Sequence, residues 1–580
     1  MRQDDQRRAT SVLVIGTGAA GLRAAIELRQ RGVDVICVGK RRRDDAHTVL
    51  AAGGINAALG TMDPEDSWEQ HAADTIRESY DLADPLTVEI LAQQAPRAID
   101  ELVEWGADFQ TEPDGRLSQR YFGAHRWRRT CFAGDYTGRE IQRALGRRAS
   151  ELGVSVDDET YITRLLVHDG RVFGAYGFDI EEGSRRVYLA DAVVLAAGGH
   201  TRIWRRSSSR RDENTGDAMR LAALAGCRLR DMELVQFHPT GMVWPEYAAG
   251  TLVTEAVRGE GGILRNAEGE RFMERYDPER LELSTRDRVA LANYTEITAG
   301  RGTERGGVLL DVTHLDRETV LTRLPRMYRQ FVDIAMLDIT KQPMEVAPTA
   351  HYSMGGVWVD AATHATDVEG LYAVGECATG LHGANRLGGN SLAECVVFGR
   401  IVGAHAAEWS ASLDAQVRDR RAIAAAGEEV DELLARRGDQ FVRPLQRAVR
   451  DLMTDHCGVV RSDAGLAAGL GRLEEITASA AGMEVRTDIA GFDDLAHAFD
   501  LEGSLLAARA TLESARARNE SRGCHVREDF PQQDDRLRVN LTWRPDGSPP
   551  AREPVGEASA AVKAALGGVT EIEVAGRLLE

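Results

Sequence analysis

The stretch Ser11–Gly21 reads SVLVIGTGAAG and determines how the rest of the sequence is interpreted. Its first part, SVLVI, is a short apolar run rich in β-branched residues, which is typical of a buried parallel strand. The spacing G-x-G-x-x-G follows, whose glycines allow a tight turn, close approach of the backbone to a pyrophosphate and close packing of helix on strand. A helix is predicted over Ala19–Arg31 and a second strand over Val33–Val38. This βαβ beginning predicts a dinucleotide-binding site.

One residue that such a site normally has is missing. At the end of the second strand, where an acidic residue usually holds a ribose, the sequence reads Val38-Gly39-Lys40. The ribose contact must therefore come from elsewhere in the chain. Further strand-like runs over Val187–Leu195 and Gly370–Val374 end in small residues, and we expect them to join the same sheet.

Length and composition restrict the class of protein. The chain has 580 residues and a mass of 63.4 kDa, which is too long for one core and suggests about three or four domains. It carries 71 Lys and Arg against 91 Asp and Glu, a net charge of -20 that disfavours nucleic acid or an anionic membrane as a general partner. Glycine, at 58 residues, exceeds the usual fraction of about 7%. The excess indicates places where the backbone approaches another group closely.

Cysteine spacing and hydropathy exclude several kinds of protein. The seven cysteines lie far apart without a C-x-x-C pair, so we expect neither a disulfide framework nor a metal or iron–sulfur site. The same spacing favours a reducing compartment. The first ten residues, MRQDDQRRAT, have no apolar segment, and no run of about 18 apolar residues occurs anywhere. We therefore expect no signal peptide and no membrane span of the chain's own.

The composition and the predicted secondary structure change along the chain. Mixed polar segments between roughly residues 240 and 350 suggest an inserted domain, and helices such as Ala415–Arg436 and Gly503–Asn519 are predicted after it. After Pro531 come a polar stretch, a predicted helix near Ala558–Leu566 and a predicted terminal strand, Val569–Gly576.

A series of motifs, in order, resembles the flavoprotein subunits of succinate dehydrogenase and fumarate reductase. The resemblance covers about residues 10–535. The motifs are Ala46–Ile55 (AHTVLAAGGI), Thr215–Asp217 (TGD), Gln236–Gly241 (QFHPTG), Thr254–Gly262 (TEAVRGEGG), Gly269–Met273 (GERFM), Arg286-Asp287, His351–Gly356 (HYSMGG), Gly375-Glu376, His382–Leu392 (HGANRLGGNSL) and Glu520–Pro531 (ESRGCHVREDFP).

The resemblance implies an α/β fold: a Rossmann-like FAD-binding domain with an inserted α+β capping domain and a C-terminal helical domain. The expected boundaries are 10–240 and 351–405 for the FAD-binding domain, 241–350 for the capping domain, 406–530 for the helical domain and 531–580 for a C-terminal extension. The residues expected to hold FAD are Gly16, Gly18, Ala19, Ala20, Gly21, Lys40, His47, Thr48, Gly53, Gly54, Gly198, Asp217, Glu376, Ser391 and Leu392.

The resemblance further implies that His47 carries the flavin covalently. One departure bears on the same region, because the family usually has glutamine where this chain has Ala52. A polar contact near the flavin ring is therefore expected to be missing.

The same motifs imply a dicarboxylate site. By resemblance, His238, Thr254, His351 and Arg386 hold the two carboxylates, with Phe122 beside them, and an arginine suits this task because its planar fork binds a carboxylate with two hydrogen bonds. Arg286 would exchange a proton with the substrate carbon, and Glu255 and Arg258 would pass that proton to solvent. An arginine is an unusual acid or base because a guanidinium holds its proton tightly, so anionic neighbours must make the exchange tolerable.

L-aspartate oxidase, which makes iminoaspartate for NAD biosynthesis, shares nearly all of these motifs and is the alternative. The segments Thr379–Asn385 and Gly123–Arg129 look like the oxidase. However, the oxidase usually carries a carboxylate where this chain has Phe122, and a phenylalanine leaves a buried substrate ammonium unpaired. His47, the pair Gly388-Gly389 and the ending Glu520–Pro531 also match the succinate family. We therefore favour succinate and fumarate as substrates, with the dehydrogenase direction preferred if the flavin is covalent.

The resemblance also implies partners. This chain offers no cluster ligands, so electrons from reduced FAD must leave it, and in the succinate family they pass to an iron–sulfur subunit docked on a membrane anchor. We therefore expect a quinone as final acceptor and two partners, namely an iron–sulfur subunit together with a membrane anchor subunit. The expected location is cytoplasmic, peripheral on the cytoplasmic face of the inner or plasma membrane.

Overall fold

The computed structural model of the chain describes residues 6–487 and 491–567. Within these ranges, seven strands form a central mixed sheet, in which the two strands of the βαβ beginning pair in parallel with each other and with more distant strands. In spatial order they are Ser155–Asp157, Val35–Val38, Gln6–Ile15, Arg185–Leu195, Arg171–Asp179 and Thr160–His168, and Leu371–Ala373 pairs in parallel with the end of Arg185–Leu195. The two predicted distant strands therefore join the sheet, as expected.

Both faces of the N-terminal strand are buried over Val12–Ile15, which explains its continuous apolar run there. Val12 and Val14 pack into one hydrophobic core, and Leu13 and Ile15 pack into another on the opposite face. The helices that contribute to the first core are Ala19–Gln30, Trp68–Glu78, Pro85–Glu104, Thr137–Glu151 and Asn390–Ser412.

The segment between the two parts of the central sheet has a hydrophobic core of its own, formed by residues from Met242 to Val346. Its four-stranded sheet is antiparallel throughout. In spatial order the strands are Val235–Met242, Met344–Ser353, Val308–Asp311 and Ile263–Arg265, and the helices are Ala256–Gly259, Met273–Tyr276, Arg286–Glu296, Arg317–Arg323 and Pro325–Ala335. We refer to this segment as the capping segment.

Four helices cover the second face of the central sheet, and their apolar side chains join the core that contains Leu13 and Ile15. They are Arg420–Ala435, Val442–His456, Asp463–Ala480 and Asp493–Ala517. A helix over Asp217–Ala225 lies with them. Among the helices of the described ranges, none combines the length and the apolar character that crossing a bilayer requires.

The C-terminal extension is built into the fold rather than appended to it. Strands Val539–Trp543 and Ala551–Pro554 form a four-stranded sheet with Leu229–Arg230 and Gly356–Val357. The helix Ala560–Gly567 follows, and its Val562 is buried in the core that contains Val12. The predicted strand Val569–Gly576 lies outside the described residues.

Several elements differ in extent from the sequence prediction. The helix predicted over Gly503–Asn519, for example, spans Asp493–Ala517. The N-terminal strand begins at Gln6, because its polar first residues pair with Arg185–Leu195 through the backbone. The first helix of the helical group begins at Arg420 rather than Ala415, since the Asp419 side chain accepts a hydrogen bond from the Arg421 N–H and caps the helix there.

Candidate active site

A cavity of about 550 Å³ lies beyond the carboxyl ends of the parallel strands Gln6–Ile15 and Val35–Val38 and extends to the capping segment. This edge of an open parallel sheet is where ligands bind in such folds. Of the site residues predicted from the sequence, only Gly21 and Arg258 do not line the cavity. The lining ones are Gly16, Gly18, Ala19, Ala20, Lys40, His47, Thr48, Gly53, Gly54, Phe122, Gly198, Asp217, His238, Thr254, Glu255, Arg286, His351, Glu376, Arg386, Ser391 and Leu392.

The glycines of the first motif serve distinct purposes. Gly16 has a φ of +121°, and a Cβ there would lie 2.1 Å from the Ala196 carbonyl oxygen, so no other residue fits. A Cβ on Gly21 would lie 1.9 Å from the Gly16 carbonyl oxygen. Gly21 therefore allows the helix to pack on the strand, behind the cavity. Gly18 precedes the helix Ala19–Gln30, whose N-terminus opens into the cavity and suits an anionic pyrophosphate.

Lys40 occupies the position where an acidic residue was expected. Its Nζ lies 3.2 Å from Asp217 Oδ2 and 3.0 Å from Asp500 Oδ1. Asp500 comes from the helix Asp493–Ala517 and also accepts hydrogen bonds of 2.9 Å from Tyr161 and Thr215. Burial alone would raise the pKa of Asp500, but Lys40 and His497 lower it to about 2. The Asp217 carboxylate, at the start of the helix Asp217–Ala225, thus lies at this end of the cavity.

His47 lies in the turn His47–Leu50, and its Nδ1 is 2.9 Å from Glu213 Oε2. Burial lowers the pKa of His47, but the Glu213 carboxylate outweighs burial and raises it. The pKa of Glu213 is held at about 2, because His47 and Arg210 overcome the effect of its burial. Glu213 was not predicted from the sequence, although it stands two residues before the motif Thr215–Asp217.

Gly53 and Gly54 line the cavity with backbone alone, which allows the Phe122 ring to lie against Gly53. A Cβ on Gly53 would lie 2.6 Å from Phe122 Cζ, and Gly54 has a φ of +130°. Glu376, which also lines the cavity, accepts from the Ser353 N–H at 3.1 Å and from the Asn214 amide at 3.2 Å. Together with the helix N-terminus, these residues would suit FAD as the occupant of the cavity.

The far end of the cavity holds a chain of alternating charges from the capping segment. Arg286, the first residue of its helix, donates from Nε to Glu255 Oε2 at 2.8 Å. Glu255 also accepts from the Gly123 N–H at 3.1 Å and lies 3.7 Å from the buried Arg258. Burial opposes ionisation of Glu255, but the two guanidiniums outweigh it and lower its pKa to about 2. Arg258 thus lies behind the cavity and reaches it through Glu255.

The residues predicted to bind carboxylates converge at the same end. The rings of His238 and His351 lie edge to face with centroids 5.2 Å apart, and Ser208 Oγ lies 2.8 Å from His351 Nδ1. Burial and the nearby arginines hold the pKa of His238 well below its ordinary value. Within the described residues, Thr254 Oγ1 and Arg386 Nε are buried without a hydrogen-bond partner. Unpaired buried donors beside cationic groups fit an anionic ligand.

The comparisons with known proteins agree with this geometry. The family described as FAD binding domain matches residues 11–392, and the family described as Fumarate reductase flavoprotein C-term matches residues 446–551.

Two curated relatives resemble the chain over nearly its whole length. One chain of the fumarate reductase (CoM/CoB) of Methanothermobacter marburgensis is 44% identical, over 90% of this chain and 94% of the relative. The succinate dehydrogenase flavoprotein subunit of Rickettsia conorii is 38% identical, over 90% of this chain and 91% of the relative.

Among solved structures, Mycobacterium smegmatis Sdh1 in complex with UQ1 superimposes with a TM-score of 0.89 at 39% identity, covering 98% of both chains. The fold, the FAD-shaped cavity and these relatives lead to one assignment. The chain belongs to the family of FAD-dependent flavoprotein subunits of succinate dehydrogenase and fumarate reductase.

Proposed function

We propose that the chain interconverts succinate and fumarate at the capping end of its cavity. The observation that carries this proposal is the pairing of Arg286 with Glu255 at 2.8 Å, beside His238, His351 and Arg386. The cationic groups suit a dicarboxylate dianion, while the ion pair provides a route for one proton.

Separate residues of the chain bind the substrate carboxylates and exchange the proton. When bound, FAD accepts or donates a hydride. His238, Thr254, His351 and Arg386 bind the two substrate carboxylates. Twisting a carboxylate out of the plane of a fumarate-like skeleton polarises its double bond, which is an effect realised mainly in the transition state.

Arg286 exchanges one proton with the substrate carbon that does not exchange the hydride. Its Nε already donates to Glu255, which is ionised because of its low pKa and so stabilises the guanidinium between transfers. Arg258 continues the route behind the cavity, since its Nη2 lies 3.7 Å from Glu255. This relay keeps the reacting carbon away from bulk water while protons pass.

We infer that electrons leave through an iron–sulfur subunit to a quinone, in a complex bound peripherally at the cytoplasmic face of the membrane. The inference rests on the family and on the relative solved in complex with UQ1. The methanogen relative is instead described with CoM/CoB.

The purified holoenzyme is expected to reduce an artificial dye with succinate and to show no oxidation of L-aspartate by oxygen. The physical reason is Phe122, which lines the cavity with Arg286 5.8 Å from its ring centroid and cannot pair with an ammonium group. Parallel assays with both substrates measure this. Activity with L-aspartate and oxygen but not with succinate would reverse the assignment to the oxidase.

We propose that His47 bonds covalently to FAD through Nε2, because Glu213 engages Nδ1. Acid precipitation of the native protein is then expected to leave yellow flavin in the pellet. The variant His47→Ser should release the flavin to the supernatant and lose succinate oxidation while keeping fumarate reduction, since the covalent bond raises the flavin potential.

A matched control is His405→Ser, because His405 also lies near a glutamate, Glu408 at 3.5 Å, but does not line the cavity. It should behave as the native protein does. Release of all flavin from the native protein on acid treatment would contradict the covalent bond.

A further inference from the structure

Gln236 is fully buried at the start of the strand Val235–Met242 and lies between the two arginines of the proposed dicarboxylate site. Its Oε1 accepts a hydrogen bond of 3.1 Å from Arg286 Nη1 and another of 3.0 Å from Arg386 Nη2. A single neutral oxygen therefore joins two guanidiniums that would otherwise repel each other.

The nitrogen of the Gln236 amide is also hydrogen-bonded. Gln236 Nε2 donates to Asn385 Oδ1 at 2.7 Å and to the Arg386 carbonyl oxygen at 3.0 Å. The side chain thus uses both acceptor positions and both donor hydrogens of an amide. A flipped amide would turn its NH₂ group toward the two guanidiniums, so only one orientation is compatible with these contacts.

Asn385 is in turn oriented by carboxyl groups. Its Nδ2 donates to Glu78 Oε1 at 2.6 Å and to Asp287 Oδ1 at 3.0 Å, and the Tyr80 hydroxyl donates to the other Asp287 oxygen at 2.5 Å. Because the Asp287 carboxylate accepts from Nδ2, the Asn385 oxygen must face Gln236. The direction of the Gln236 amide is therefore set by an acid that does not line the cavity.

The absence of charge on the Gln236 side chain matters as much as its shape. Arg386 otherwise contacts neutral groups, with Ser391 Oγ at 3.3 Å and the Tyr352 ring centroid at 4.5 Å. Burial and the charge of Arg286 lower its pKa to about 10. A carboxylate in place of the amide would relieve that repulsion, but it would also cancel positive charge that a dianionic ligand needs.

We propose that Gln236 is a positioning residue whose amide, oriented by Asn385, fixes Arg286 and Arg386 relative to each other without neutralising either of them. The proposal rests on the proposed function, because it assumes that both arginines face a dicarboxylate. Gln236 acts through the arginines and makes no contact with the reacting atoms. It opens the motif Gln236–Gly241, in which the sequence alone indicated a role only for His238.

Two variants separate orientation from charge in the holoenzyme. Gln236→Leu removes the shared acceptor and is expected to lower kcat/KM for succinate about 100-fold, mainly through kcat, because Arg286 loses its alignment. Gln236→Glu keeps the size and the acceptor facing both arginines but adds a negative charge and loses the two N–H donors, and it is expected to weaken malonate binding at least about tenfold. Gln70→Leu, at a buried glutamine outside the cavity, is the matched control.

The measurements are kcat and KM with succinate, malonate titration by calorimetry, and FAD content. Kinetic constants of Gln236→Leu within about twofold of the native values would overturn the proposal, as would unchanged malonate affinity in Gln236→Glu. A loss of activity that only parallels loss of FAD would also overturn it, since that indicates a purely structural role. If the native protein fails to oxidise succinate, the proposed function fails, while the malonate titration still tests Gln236.

Discussion

Replacing Arg286 by alanine is expected to lower turnover of succinate by about 10²- to 10⁴-fold while FAD remains bound. The side chain carries the proton between Glu255 and the substrate carbon. Among the described residues, no other cationic side chain both lines the cavity and forms an ion pair with Glu255. FAD should stay because its predicted contacts lie on the other elements of the cavity. The measurements are steady-state dye reduction and the visible spectrum of the bound flavin.

A second substitution on the same helix provides the control. Arg288 lies two residues further on, its side chain is 48% exposed, and it lies 3.8 Å from Asp277 rather than at the cavity. Arg288→Ala should leave turnover near the native value. Substantial succinate oxidation by purified Arg286→Ala would exclude Arg286 as the proton carrier.

Replacing Arg386 by alanine is expected to abolish dicarboxylate binding as well as turnover. The change removes a guanidinium that is 3% exposed and whose Nε has no partner among the described residues, so a bound carboxylate loses its main charged contact. Truncating one partner of a buried hydrogen-bonded charge pair weakens binding by about 100-fold or more. Malonate titration of the FAD-loaded variant measures this loss directly.

The two arginine variants are expected to differ in a diagnostic way. Arg286→Ala should still bind malonate, whereas Arg386→Ala should not. The control for the second variant is Arg400→Ala, which removes the same charge from a position outside the cavity, where Arg400 bonds to Gln94. Native malonate affinity in Arg386→Ala would remove this residue from the proposed carboxylate clamp.

Local patterns were sufficient to predict the βαβ beginning and a dinucleotide site, while FAD and the full fold class came from the motif resemblance. The run SVLVI with its glycines specified a strand buried on both faces and a helix N-terminus facing a cavity, since both properties depend only on neighbouring residues. The motif resemblance likewise anticipated which side chains line the cavity. The boundaries of helices were predicted less well, because a cap such as that of Asp419 overrides the apolar periodicity.

Contacts between distant segments had to come from the tertiary structure. Glu213 lies beside His47, and Asp500 of the helical group lies beside Lys40, although hundreds of residues separate the latter pair in the chain. No spacing rule connects such residues, because the fold brings them together through the packing of whole helices and strands. Asp217, which belongs to the motif Thr215–Asp217, was expected at the cofactor, whereas the contact of Lys40 with Asp500 could not be read from any motif.

The sequence by itself determined the central sheet, the FAD cavity and the set of cationic side chains, since each depends on local pattern or on short motifs. Only the tertiary structure decided that Arg258 lies behind the cavity, that Gly21 supports packing instead of lining it, and that Gln236 joins Arg286 to Arg386. The physical reason is that burial, orientation and hydrogen-bond partners are properties of three-dimensional neighbours. A residue's type and spacing specify which bonds it is able to make, and the packing of the other elements specifies which of them it does make.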